Sequence, residues 1–65
     1  MIISKEAIRI KQADLNMTQY MLADKAGISR QGLSALLARG TAKPETVKKL
    51  AAALDLNPAD IIREQ

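Results

Sequence analysis

Four cations and no carboxylate lie between Lys25 and Pro44: Lys25, Arg30, Arg39 and Lys43. Outside that window stand six basic and seven acidic side chains. The window therefore carries +4 and everything else −1, which together make the net charge of +3. A merely solvated helix face mixes its signs, whereas one-signed charge over the middle of a small domain fits a polyanion. The same inventory excludes most catalysis. Cys and His are both absent, so there is no thiol or imidazole nucleophile, no disulfide framework and no thiolate zinc site. The carboxylates are scattered, and there is no nucleophile–base pair or glycine-rich phosphate loop. These residues predict no enzyme, no metal and no cofactor, and no small-molecule effector is evident. No apolar run approaches the ~20 residues that cross a bilayer. Met1-Ile2-Ile3 is too short for a signal peptide and is followed by Lys5 and Glu6. A chain without cysteine points to a reducing, cytoplasmic setting.

The elements that must position these charges fit one domain over residues 1–65, since 7.1 kDa leaves no room for two. The hydrophobic share is 48% but Tyr20 is the sole aromatic residue, so the core must be Leu, Ile and Ala. That mixture suits helix on helix better than sheet. Local punctuation predicts an all-α fold of five short helices. Ser4 caps the first, which runs to about Leu15, with Asn16 as a left-handed stop. Its apolar arc is read as Ala7, Ile8, Ile10 and Leu15, with Lys11 laying its stem on the core. Thr18 caps the second helix, through Ala26, and Gly27 ends it. Ser29 caps the third, to Arg39, and Gly40 ends it. Pro44 opens the fourth, whose Val47, Leu50, Ala51 and Leu54 fall at helical spacing. Asp55 ends it, and Asn57-Pro58 starts a last short helix with Ile61 and Ile62 as its apolar pair.

The most informative stretch is QYMLADKAGISRQGLSALLARG, Gln19 to Gly40. Two helices separated by about three residues must meet at a sharp angle. Leu22 and Ala26 face the core, and Ala23 is small enough for a close crossing. Gly27 supplies the positive φ of the turn. Ile28 plugs the turn, and Leu33 and Leu36 anchor the third helix. This spacing is the helix-turn-helix pattern.

With these residues the chain resembles the phage repressor and Cro-like helix-turn-helix regulators of bacteria, from about Ile8 to Ile62. The likeness extends to Met17-Thr18-Gln19, Pro44-Glu45-Thr46-Val47, Leu50-Ala51 with Ala53-Leu54, and Asn57-Pro58 with Ile61. It implies a five-helix, lambda-repressor-like domain that binds double-stranded DNA, usually as a dimer on inverted half-sites. There are departures. Asn16 and Asp55 stand where relatives often have Gly, Met21 replaces a capping Glu, Lys11 takes a usually apolar position, and Gly32 is unusual inside a recognition helix.

On a wheel of about 100° per residue, Leu33, Leu36 and Leu37 form the inner face of the third helix. Gln31, Ala35 and Ala38 lie opposite, with Ser34 on the flank. Recognition helices enter the major groove N-terminus first, so Arg30, Gln31, Ser34 and Ala35 are the candidate base contacts. Gln31 suits adenine, Arg30 guanine or a phosphate, Ser34 either partner type, and the Ala35 methyl a thymine methyl. The starts of the second and third helices, Thr18, Gln19 and Ser29, offer anion sites. Arg39, Thr41 and Lys43 are the other candidate phosphate contacts. Gly32 either permits a close backbone approach or is neutral, and the slim profile it shares with Ser34 and Ala35 favours approach to DNA.

Two readings compete. One is a transcriptional regulator, a repressor by type, acting as a homodimer with Leu56, Ile61 and Ile62 in the dimer contact. The other is a protein-interaction module of the same fold, such as an antitoxin or adaptor component, using the third helix or Ile61-Ile62. The charge window favours DNA.

Overall fold

The computed structural model describes residues 1–63. Four α-helices follow one another: α1 (Lys5–Asp14), α2 (Gln19–Ala26), α3 (Arg30–Arg39) and α4 (Pro44–Ala53). A single 3-10 turn, Pro58–Ile61, replaces the expected fifth helix. The fold is all-α over the described residues. Four residues bounded by Pro58 and an extended Ile62 are too few to propagate an α-helix.

The helix boundaries follow from side-chain chemistry. Ser4, Thr18 and Ser29 each accept a backbone N–H three residues on, from Ala7 (3.2 Å), Met21 (3.1 Å) and Gly32 (2.9 Å). Each bond satisfies a donor that the first helical turn leaves unpaired. Three of the four α-helix stops share one device. Asn16, Gly27 and Asp55 have φ of 53°, 73° and 58°. The amide after each reaches back five residues: Met17 to the Gln12 carbonyl, Ile28 to Ala23 and Leu56 to Ala51, at 2.8–3.0 Å. These are left-handed Schellman caps, and Asn and Asp fill the positions where glycine is commoner.

α4 packs against α2 and the 3-10 turn, α2 against α3, and α1 against the 3-10 turn. Ile8, Leu22, Leu33, Val47, Leu50, Leu54 and Ile61 are fully buried, with no buried polar side chain among the described residues. The whole expected face of α4 (Val47, Leu50, Ala51 and Leu54) is inside.

Two expectations are corrected. Ile61 is 0% exposed within one copy, so it has no surface to give a dimer contact. It serves the monomer core, while Leu56 and Ile62 are half-buried around it. On α1 only Ile8 is buried, and Ile10 is 68% exposed and Leu15 39%. The inward stripe is instead Ser4, Ala7, Ile8, Lys11 and Gln12, the polar members being half-buried. Lys11 does lie along this face, with its ammonium 3.5 Å from Asp14. Long polar side chains can cover apolar surface with their stems, which is why α1 needs few apolar residues.

Residues 1–3 pair on both sides, though they form only isolated bridges. Ile2 lies opposite Thr41 and Ile3 opposite Ile62, both antiparallel. The Ile3 amide donates to the Gly40 carbonyl (3.0 Å) and the Ala42 amide to Met1 (2.9 Å). On the other side Ser4 donates to Ile61 (2.7 Å) and Arg63 to Ile2 (2.8 Å). The loop after α3 is thereby fixed by main-chain bonds to the start of the chain.

Candidate nucleic-acid interface

The crossing of α2 and α3 is what presents the candidate surface. Leu22, Ala23 and Ala26 are buried on α2, and Leu33, Leu36 and Leu37 on α3. Ala23 at 1% exposure is the small residue that the crossing requires. With that inner face consumed, the opposite face of α3 is left to solvent. Arg30, Gln31, Ser34 and Ala35 are all exposed, as are Ala38 and Arg39.

The flanking residues are accessible too. Thr18 and Gln19 at the start of α2, Ser29 before α3, and Arg39, Thr41 and Lys43 after it are exposed. Thr18 and Ser29 spend an acceptor site on their caps. Each hydroxyl keeps its proton to donate to an anion. The first-turn N–H groups beyond each cap add to the positive end of the helix dipole. Arg39 and Lys43 line one shallow groove between α3 and the start of α4, together with Ile28, Gly32, Leu36, Ala42 and Thr46.

Gly32 is exposed on this helix. A Cβ built on it meets only Ser29 Oγ within 4 Å, at 2.9 Å. Its constraint inside the fold is thus the α3 cap, not the crossing of α2 with α3.

Two contributors escaped the sequence reading. Tyr20, 62% exposed at the second position of α2, lies under the Arg30 guanidinium, whose carbon is 4.7 Å from the ring centroid. The available signal was a lone aromatic residue beside Gln19 on a helix that crosses α3. The other is the segment Met1–Ile3, which bonds to both sides of Thr41.

No helix among the described residues is long and apolar enough to cross a membrane. No curated protein matches the chain in a sequence search. A family model described as helix-turn-helix matches residues 6–61, taking in every helix described above apart from the first residue of α1. The chain belongs to the Cro/repressor-like helix-turn-helix family, a family of regulators that bind double-stranded DNA.

Proposed function

We propose that the protein is a sequence-specific transcriptional repressor that sets α3 into the major groove of duplex DNA. The observation that carries this reading is the outer face of α3. It offers Arg30, Gln31, Ser34 and Ala35 to solvent, with exposed cations at Arg39 and Lys43 and no carboxylate between Lys25 and Pro44. Gln31 reads a base edge, Ser34 and Ala35 complete the surface, and Arg30 supplies the long donor at the N-terminal end. Thr18, Gln19, Ser29, Arg39, Thr41 and Lys43 set the register on phosphates. Repression needs only occupancy of the site, with no cofactor or effector, in a cytoplasmic setting.

The working form is a homodimer on half-sites roughly 34 Å apart. With Ile61 buried, the half-buried Leu56 and Ile62 remain of the expected dimer contact, and Leu56 shares a groove with the exposed Ile10. A protein-binding role through Ile61 loses its surface for the same reason. The α3 face of Gln, Ser and Ala offers a partner protein little apolar area to bury.

Selection from random duplexes with the purified protein tests the reading. An enriched, inverted motif whose binding weakens steeply with salt is expected. Failure to enrich any sequence would overturn it.

A further inference from the structure

The observation that the regulator reading does not absorb is the stack between Tyr20 and Arg30. The Arg30 guanidinium lies over the Tyr20 ring at 4.7 Å from its centroid. Both side chains are exposed, so the stack is not needed to fill the core. Arg30 opens α3, and its only described partner is this ring. The one ion pair among the described residues is Lys11 with Asp14.

The chemistry of the pair is directional. A guanidinium carries its five N–H donors in its own plane. A ring brings no lone-pair acceptor to compete for them, so the donors stay available to a base edge. An ion pair with a carboxylate would occupy two and would compete with DNA. The cation–π contact also holds a long, otherwise many-rotamer side chain before any ligand arrives, which lowers the ordering cost of binding.

We propose that Tyr20 is a positioning residue that pre-orders Arg30 to read a guanine, making α2 a contributor to specificity at one base pair. This rests on the regulator reading and assigns Arg30 to a base edge in preference to a phosphate. Tyr20 acts through Arg30 and need not touch DNA. The phenol hydroxyl plays no part, and the ring does.

The test is a double-mutant cycle on the site selected by the parent protein, using Tyr20→Leu, Arg30→Ala and the pair together, with Tyr20→Phe as the conservative variant. Affinities come from fluorescence anisotropy on the selected duplex and on duplexes changed at each base pair. Tyr20→Leu is expected to weaken the selected site about 2–5-fold, the range of an exposed cation–π contact. That loss falls at the base pair whose guanine preference Arg30→Ala erases. Tyr20→Phe binds like the parent. In the Arg30→Ala background Tyr20→Leu has no further effect. Because Tyr20 is 62% exposed, the thermal midpoints of all variants stay near that of the parent.

Three results overturn the proposal while leaving the regulator reading intact. They are an equal cost of Tyr20→Leu with and without Arg30, a loss spread uniformly over all sequences, or a loss already complete in Tyr20→Phe. A parent protein that selects no duplex overturns both.

Discussion

Gly32→Ala, made with and without the Ser29 hydroxyl, separates a local helix cap from a docking requirement. In an open helix interior the change would add about 0.8–1 kcal/mol, a ceiling for a first-turn position. Here the new Cβ would stand 2.9 Å from Ser29 Oγ, closer than such contacts ordinarily come. That same oxygen accepts the Gly32 N–H at 2.9 Å. To make room, Oγ must swing away by a few tenths of an ångström, stretching a cap worth about 1 kcal/mol. Losing about half the cap leaves a net gain of about 0.5 kcal/mol or less. In the Ser29→Ala background the obstacle is gone, and Gly32→Ala should then recover most of the ceiling. Urea denaturation of the four proteins gives the coupling, expected at about 0.5 kcal/mol, and a full 1 kcal/mol corresponds to about 4–8 °C in the thermal midpoint at this size. An equal gain in both backgrounds would refute the cap argument. Separately, if the slim face of α3 serves close approach to DNA, Gly32→Ala lowers affinity for the selected site without loss of stability. A variant that binds as tightly as the parent denies the glycine any docking role.

Arg39→Ala and Lys43→Ala should each weaken binding about equally on all duplexes and reduce the salt slope by about one, read from gel shifts over a salt series. Gln31→Ala should instead relax discrimination at one base pair by about 1–3 kcal/mol, so an unchanged selected motif would remove Gln31 from the base readers. Ile61→Ala should cost about 2–5 kcal/mol and leave the domain largely unfolded, while Ile61→Val costs about 0.5–1.5 kcal/mol. Since Ile61 faces the core of one copy, the Ile61→Val protein, followed by circular dichroism and sedimentation, should lose stability without changing its association state.

What the sequence made legible was chemistry acting within a few residues. The hydroxyls of Ser4, Thr18 and Ser29 and the left-handed stops at Asn16, Gly27 and Asp55 each act within one helical turn, and all lie where the local pattern places them. The outer face of α3 followed from its three buried leucines. α1 was harder because its apolar residues do not define its inner stripe. Ile10 points outward while Lys11 and Gln12 are half-buried, and hydrophobicity alone assigns the opposite. The pairing of Met1–Ile3 left no local trace, since its partners are some forty and sixty positions away. Tyr20 and Arg30 are likewise joined only by the angle between two helices.

The threading of residues 1–3 between Thr41 and Ile62 bears on how the molecule comes together. Closing that ladder joins segments at nearly the largest sequence separations the chain contains. Such contacts form only after loop-closure entropy has been overcome, so, with the packing of α1 on the 3-10 turn, they belong to the cooperative, late-closing part of the domain. The loop bearing Thr41 and Lys43 therefore does not share the independence usual for surface loops. Its Ala42 amide is bonded to Met1, and Ile2 and Ser4 are bonded in turn to Arg63 and Ile61. Fraying at either end of this ladder loosens the loop, so its shape is no more durable than the ends that clasp it.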